Sequence, residues 1–92
     1  MKFEWDQEKN LINQKKHKIS FETAAYVFQD KNYIEMYDFE HSTKEDRYIA
    51  IGCVGEVLFV VFTERKENIR LISARLATES ERRLYYDQNI YY

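Results

Sequence analysis

The segment NIRLISARLATESERRLYY, residues 68–86, predicts a strand that leads almost directly into a capped helix. Side chains at alternate positions from Asn68 to Arg75 fit the period-two pattern of a strand. Thr78, followed three residues later by Glu81, is typical of a capping box at a helix N-terminus. The segment also carries four arginines. Because a guanidinium keeps its charge and needs its donors satisfied, we expect a protein carboxylate or an external phosphate beside this strand and helix.

Upstream of this segment, the pattern predicts two more strong strands, over residues 47–52 and 56–64, and a weaker one over 33–37. The 56–64 strand contains the continuous apolar run VLFVVF. Such a run is typical of a strand covered on both faces, so we expect this strand at the centre of the sheet.

The N-terminal part predicts a short strand and two helices. Phe3 and Trp5 alternate with charged residues, and Asp6 is a suitable N-cap for a helix that extends to about Lys16. Ser20 caps a second helix. The buried stripe predicted for this second helix comprises Phe21, Ala24, Ala25 and Phe28. The expected fold is therefore a single α+β domain over residues 1–92, in the order β-α-α-β-β-β-β-α.

Two predicted turns separate the last three strands. Gly52 and Gly55 bracket the first hairpin, where a positive φ angle is expected. In the second turn, Asn68 is the residue best suited to a left-handed conformation.

The formal net charge of −2 is unevenly distributed along the chain. Residues 1–46 carry 7 basic and 10 acidic side chains, whereas residues 47–92 carry 7 basic and 6 acidic ones. All basic residues of the first half are lysine, and all but Lys66 in the second half are arginine. Arginine offers a planar fork to phosphate or carboxylate, so anion recognition is expected in the C-terminal half. A pI of about 5.7 is low for a protein that holds nucleic acid by charge alone.

Several classes of protein are not expected. The sequence has no apolar run of about 18 residues for a membrane span, and its N-terminus lacks the apolar centre of a signal peptide, so we expect a cytoplasmic protein. The single cysteine, Cys53, cannot form an internal disulfide. No metal-binding spacing and no glycine-rich phosphate loop occurs, and we therefore expect neither a metal nor a nucleotide cofactor.

A polar stripe on the first helix is the first candidate site, and it comprises Lys9, Asn13, Lys16 and His17. One interpretation is a solvated helix face. The other is a functional one, since His17 at the helix end is a titratable group with Lys16 beside it.

A second candidate is the loop pattern His41-Ser42-x-x-Glu45-x-Arg47. A loop held by a contact between carboxylate and arginine explains it as well as catalysis does.

The strand arginines are the third candidate. Arg70 and Arg75 are five positions apart, and because this number is odd they point to opposite sheet faces unless a bulge intervenes. Arg82 and Arg83 lie about 100° apart on the last helix.

Six motifs in order resemble a known family. They are FEWDxEKNxxN at 3–13, KHxxSFETA at 16–24, HSxxEDRY at 41–48, IG at 51–52, TER at 63–65 and IRLISARxATxxERRxYY at 69–86. The chain resembles the BrnT toxins of type II toxin–antitoxin pairs, which are related in fold to RelE-type ribonucleases. The family often has glycine where this chain has Lys18.

The resemblance implies two N-terminal helices on an antiparallel sheet, a final helix, and an enzyme that cleaves RNA without a metal and blocks translation. It also implies a BrnA-like ribbon-helix-helix antitoxin and operator binding only through the complex. Under it, the expected catalytic residues are Lys16, His17, Glu64, Arg65 and Arg75. The residues expected to bind RNA phosphate or the antitoxin are Arg47, Arg70, Arg82 and Arg83.

A rival hypothesis is a non-catalytic module whose arginines dock acidic residues of a partner. A helix-turn-helix that binds DNA ranks last, because the second helix has no basic side chain for a phosphate-lined groove. At the C-terminus, four tyrosines either extend the contact of the helix to a partner or, at Tyr91 and Tyr92, fray.

Overall fold

A mixed five-stranded sheet organises the chain in the computed structural model, which describes residues 2–88. Tyr91 and Tyr92 therefore lie outside the described residues. The elements are β1 (Lys2–Glu4), α1 (Gln7–His17), α2 (Phe21–Ala24), a 3-10 helix (Ala25–Gln29), β2 (Ile34–Tyr37), β3 (Tyr48–Val54), β4 (Glu56–Arg65), β5 (Asn68–Leu76) and α3 (Glu79–Asp87). The predicted α+β class is confirmed.

The strands lie in the order β1-β5-β4-β3-β2, so β4 is central as its apolar run predicted. Neighbours from β2 to β5 are antiparallel. The expectation of a wholly antiparallel sheet is wrong at one edge, because β1 pairs with β5 in parallel. Parallel neighbours need a long connection, and here the whole of the intervening chain separates the two strands.

Side-chain caps begin all three α-helices at the predicted residues. Asp6 accepts hydrogen bonds from the backbone of Glu8 and Lys9, and Ser20 accepts one from Thr23. Thr78 and Glu81 form the predicted capping box. The helix after Ser20 is shorter than its stripe indicated, since it changes to the 3-10 form at Ala25.

The two faces of the sheet are covered differently. The α2 face carries Leu58, Val60 and Phe62 of β4, and these side chains form the main core with α2 and the 3-10 helix. The α3 face carries Val57 and Phe59 of β4, where Tyr85 of α3 packs. Because Tyr85 is the one buried side chain of α3, this helix covers only part of the face.

Two predictions about the turns need correction. Gly55 has φ +75° as expected, but Gly52 lies inside β3 and has no positive φ. A Cβ atom at Gly52 would approach Val27 Cγ1 to 2.7 Å, so close packing is the reason for this glycine. In the second turn the left-handed residue is Lys66, with φ 58°, and Asn68 instead begins β5.

A left-handed residue also ends α1. Lys18 has φ 62°, and its amide donates to the carbonyl of Gln14. A non-glycine residue in this conformation costs about 1 kcal/mol.

Asn13 of α1 fills the unpaired edge of β5. The pairing of β1 with β5 ends at Arg70, so the backbone of Ala74 has no strand neighbour on that side. The Asn13 amide group donates to the Ala74 carbonyl at 2.9 Å and accepts from the Ala74 amide at 3.2 Å. It also donates to the carbonyl of Ile19 at 2.8 Å. Part of the polar stripe on α1 is therefore buried and structural.

Candidate functional site

A β-bulge brings the strand arginines to one face of the sheet. Val61 pairs with Ser73 and Phe62 pairs with Leu71, which leaves Ile72 as an extra residue in β5. Arg70 then lies opposite Thr63, and Arg75 lies opposite Phe59. Arg70 and Arg75 were predicted to lie on opposite faces unless a bulge intervened, and the bulge at Ile72 places both on the same face. Both arginines lie on the α3 face, and Arg65 lies there too, two residues beyond Thr63.

Four of the arginines already have carboxylate partners. Arg75 makes a two-pronged contact with Glu81 at 2.8 and 3.0 Å, and its guanidinium carbon lies 3.9 Å from the centroid of the Phe59 ring. The remaining pairs are Arg70 with Glu4 at 2.8 Å, Arg65 with Glu45 at 3.4 Å, and Arg83 with Glu79 at 2.9 Å. Hydrogen bonds from Asn68 and Arg70 hold the pKa of Glu4 below its ordinary value. Of the two anionic partners that the sequence predicted, carboxylate or phosphate, protein carboxylates are thus the partners of these four arginines.

Contacts at each end of α3 hold it against the sheet. Arg75 binds Glu81 in the first turn of α3. Near the other end of α3, the hydroxyl of Tyr85 donates to the carboxylate of Asp30. The same carboxylate accepts from the amide of Cys53 at 2.8 Å. Burial, together with the hydrogen bond to Asp30, raises the pKa of Tyr85 above its ordinary value. Arg75 therefore has a structural role whether or not it contacts substrate.

Replacing Glu81 by glutamine is expected to lower the free energy of unfolding by about 1–2 kcal/mol near neutral pH. The hydrogen bond from Arg75, with smaller contributions from Thr78, holds the pKa of Glu81 below its usual 4.5. A carboxyl group whose pKa is lower in the folded than in the unfolded protein stabilises the fold at pH values above its unfolded-state pKa. This stabilisation is lost as the pH falls through the folded-state pKa. The difference between wild type and E81Q should therefore shrink on acidification, which urea unfolding at several pH values would measure.

Glu79→Gln is the matched control for this experiment. Its pair with Arg83 is exposed, with 71% and 82% of the two side chains accessible, so a change within about 0.5 kcal/mol is expected. If E79Q and E81Q lowered the free energy of unfolding equally, the structural role of the pair between Arg75 and Glu81 would be contradicted.

An open cavity lies on the α3 face beyond the part that Tyr85 covers. It has a volume of about 180 Å³. Its lining residues are Asp38, His41, Arg47, Val61, Ile72 and Ser73. Arg47 lies two residues before Ile49, whose side chain packs on this face, and the bulged residue Ile72 forms part of the wall. Within residues 2–88, the guanidinium of Arg47 has no carboxylate partner, unlike those of Arg65, Arg70 and Arg75.

Ser42 fixes the loop that supplies the other polar side chains of the cavity. Its hydroxyl donates to the carbonyl of Asp38 at 2.6 Å and accepts from the amide of Arg47 at 2.8 Å. The amide of Asp38 donates to the carbonyl of Arg47, which closes the loop at 2.9 Å. The serine of the loop pattern is therefore structural, and the loop presents its side chains from a fixed backbone.

His41 and Asp38 form a histidine–carboxylate pair within this loop. Nδ1 of His41 lies 3.0 and 3.2 Å from the two carboxylate oxygens of Asp38. An ionised carboxylate can only accept, so the contact requires a proton on Nδ1. In neutral imidazole, Nε2 is then the atom that can accept a proton from a bound molecule.

The structure places the other predicted site residues apart from this cavity. Lys16 and His17 lie in the last turn of α1, and no hydrogen bond or ion pair within residues 2–88 joins either of them to the arginines. Glu64 pairs with Ile69 and lies on the α2 face, opposite Arg65. Arg82 and Arg83 are exposed on α3.

Sequence reasoning missed Asp38, Ile72 and Ser73. It noted His41 in the loop pattern but did not place it among the site residues. The aspartate three positions before a histidine was a usable local signal, because an Asp and a His at this spacing can share a tight turn. The contribution of Ile72 and Ser73 depends on the bulge and had no local signal.

A larger groove of about 340 Å³ lies elsewhere. Its lining residues are Phe3, Trp5, Glu22, Ala25, Tyr26 and Gln29. Among these lining residues Glu22 is the one acidic side chain, it accepts a hydrogen bond from Asn10 at 2.8 Å, and none is arginine, lysine or histidine. It therefore lacks the converging polar groups of the smaller cavity, and we take the smaller cavity as the candidate site.

In residues 2–88, no group of three or more His, Cys, Asp or Glu side chains is placed to hold a metal ion. Within the same range, no helix is both long and apolar enough to cross a membrane.

The fold and the cavity define a small α+β protein with arginine, histidine and carboxylate side chains gathered on one sheet face. Residues 5–81 match the family model described as the ribonuclease toxin BrnT of type II toxin–antitoxin systems. The chain belongs to this family of ribonuclease toxins, which act on RNA and have an antitoxin partner. A search of curated proteins gave no match.

Proposed function

We propose that this chain is a metal-independent endoribonuclease of the cytoplasm that inhibits translation by cutting RNA at the cavity on the α3 face. The observation that carries this proposal is the meeting of His41, Asp38 and Arg47 in one cavity. These three side chains provide a proton acceptor, a group that orients it, and a cation for phosphate. Membership of a ribonuclease toxin family supports the same activity.

RNA cleavage without a metal needs attack by the 2′-hydroxyl on the adjacent phosphorus. Nε2 of His41 takes the 2′-hydroxyl proton while the new bond between the 2′-oxygen and phosphorus forms. The bond to the 5′-oxygen breaks, and the protonated imidazole returns its proton to that oxygen. The products are a 2′,3′-cyclic phosphate and a 5′-hydroxyl. Asp38 holds Nδ1–H throughout, and Arg47 stabilises the charge that develops on the non-bridging oxygens.

Arg65 extends this surface for a neighbouring phosphate. Its contact with Glu45 is loose, at 3.4 Å, and the two side chains are 52% and 37% exposed. An exposed pair of this kind contributes about 0–1 kcal/mol, so a phosphate can replace Glu45 at little cost. Arg75 makes two hydrogen bonds to Glu81, so its guanidinium is much less available to a phosphate.

The catalytic roles predicted for Lys16, His17 and Glu64 stay predictions. Either Lys16 or His17 could assist proton transfer only if RNA reached the end of α1 as well as the cavity. Glu64 would need RNA to contact the α2 face.

The proposed antitoxin is a BrnA-like ribbon-helix-helix protein, with operator DNA bound only through the complex. We further propose that the helices and sheet pack as in RelE-type toxins. The rival function, a non-catalytic module, draws its support from the internal carboxylate partners of Arg65, Arg70 and Arg75. In that case the exposed Arg82 and the cavity residue Arg47 would bind acidic antitoxin side chains.

Purified protein incubated with a 5′-fluorescent single-stranded RNA in EDTA tests the proposal. Wild type should give products ending in a 2′,3′-cyclic phosphate. Arg47→Ala should lower the single-turnover rate by about 10²- to 10³-fold, the loss typical when one donor to a developing anion is removed. Lys31→Ala is the control, since it removes an exposed cation that belongs to no predicted site, and it should cleave at close to the wild-type rate. Intact RNA with wild-type protein that still binds its antitoxin would favour the rival function.

A further inference from the structure

We propose that Phe39 is a stacking platform for one base of a single-stranded RNA whose adjacent phosphate lies in the cavity. This inference rests on the proposed ribonuclease function and adds a binding subsite to it. Phe39 is 85% exposed, the largest exposed fraction among the large apolar side chains of residues 2–88. An aromatic ring that is open to solvent offers a stacking surface for any of the four bases.

A chain of aromatic contacts holds this ring in place. Phe39 packs against Tyr37 with ring centroids 4.7 Å apart and an interplanar angle of 77°. Tyr37 contacts Tyr48 at 5.6 Å, and Tyr48 stacks on the fully buried Phe62, also at 5.6 Å. The hydroxyl of Tyr37 donates to Asp46 at 2.8 Å. The exposed ring is thus connected to the core, so little conformational entropy would be lost when a base stacks on it.

Phe39 belongs to the same fixed loop as the cavity side chains. It lies directly after Asp38 and two residues before His41, both of which line the cavity. Tyr37 pairs with Tyr48 on the α2 face, whereas Asp38 is directed to the α3 face. The loop therefore forms a rim, with the cavity on one side and the Phe39 ring on the other. Only a strand that bends and unstacks its bases can contact both sides, which favours single-stranded RNA over a duplex.

The acidic side chains of the loop have partners that reduce their repulsion of RNA. Asp38 contacts His41, and Asp46 accepts a hydrogen bond from Tyr37, whereas Glu45 contacts Arg65 only until a phosphate replaces it. Stacking itself depends on the ring face and not on net charge, so it tolerates the remaining carboxylate of Glu40. Sharing a loop with the cavity favours a base over a protein side chain as the occupant.

Binding of a single-stranded RNA with a 2′-O-methyl group at the cleaved position, measured by fluorescence anisotropy, tests the subsite. Phe39→Ala should weaken binding by about 5- to 150-fold, the range found when a base-stacking aromatic is truncated. Phe39→Trp should bind at close to the wild-type affinity. Tyr26→Ala is the matched control, since Tyr26 is 57% exposed but lies at the separate groove, and its affinity should be unchanged. An abasic nucleotide at the stacked position should remove the difference between wild type and F39A.

Three results would overturn the inference, and they are distinguishable. If wild type cleaves RNA and F39A binds it equally well, the stacking subsite is wrong while the proposed function stands. If F39A keeps its RNA affinity but is no longer neutralised by the antitoxin, Phe39 belongs to a protein interface. If wild type neither binds nor cleaves RNA, the proposed function itself fails.

Discussion

Replacing His41 by alanine is expected to lower the single-turnover rate of RNA cleavage by about 10²- to 10⁴-fold, the usual contribution of a general acid–base group. The side chain is mostly exposed and Nδ1 contacts Asp38 at 3.0 Å, so its removal should leave the fold intact. The measurement is cleavage of a fluorescent RNA with enzyme in excess, accompanied by urea unfolding of both proteins to compare their stability.

His17→Ala is the matched control, because His17 is the other histidine of the chain and was among the predicted catalytic residues. His17 lies in the last turn of α1, and no hydrogen bond or ion pair within residues 2–88 joins it to a cavity residue, so H17A should cleave at close to the wild-type rate. The opposite result, with activity lost in H17A and kept in H41A, would move the catalytic site to the end of α1.

Asp38→Asn tests whether Asp38 orients the imidazole of His41 for catalysis or only stabilises the loop. The amide of an asparagine can donate to Nδ1 of His41 and so favours the imidazole tautomer that carries its proton on Nε2. In this tautomer Nε2 cannot act as a base. We expect D38N to lower kcat and to leave KM and the urea midpoint nearly unchanged. A large change in KM with an unchanged kcat would contradict this positioning role.

Local signals in the sequence were sufficient for most of the elements. The caps at Asp6, Ser20 and Thr78 depend on residues within three positions of each helix start, and all three are present in the structure. The central position of β4 followed from its uninterrupted apolar run. Such signals describe a segment and its immediate neighbours, which is why they were reliable here.

Features that depend on distant pairing were not predictable. The parallel pairing of β1 with β5 joins residues from opposite ends of the chain. The bulge at Ile72 exists only in relation to the register of β4, yet it decides which face Arg70 and Arg75 occupy. A single inserted residue reverses the alternation of side chains, so an error there changed the predicted site more than any other.

The binding partner of each arginine was likewise not predictable from the sequence. Their residue type correctly indicated that anionic partners would be needed. Which partner each one has was not encoded locally, since Arg70 binds a carboxylate from β1 and Arg75 binds one from α3. Once these pairs are known, Arg47 stands out as the arginine in a cavity without a carboxylate partner among residues 2–88, and the candidate site moves from β5 to the loop before β3.

Replacing Asn13 by alanine is expected to destabilise the protein by about 2–4 kcal/mol, a large share of the roughly 5–15 kcal/mol typical of a domain. Asn13 is 6% exposed and makes three hydrogen bonds, two to the backbone of Ala74 and one to the carbonyl of Ile19. Alanine would leave these three buried backbone groups without a partner, and each unsatisfied group costs about 1–3 kcal/mol unless water reaches it. Equilibrium urea unfolding followed by circular dichroism measures the loss.

Asn13→Asp distinguishes hydrogen bonding from packing, because aspartate has nearly the same shape but an ionised carboxylate cannot donate to the carbonyls of Ile19 and Ala74. We expect N13D to be at least as unstable as N13A at neutral pH and to recover part of the loss in acid, where the protonated carboxyl can donate once. Lys9→Ala, on an exposed position of the same helix, should change stability by less than about 0.5 kcal/mol. An N13D variant as stable as wild type at neutral pH would show that the shape of the side chain, and not its bonds to the free edge of β5, fixes α1 on the sheet.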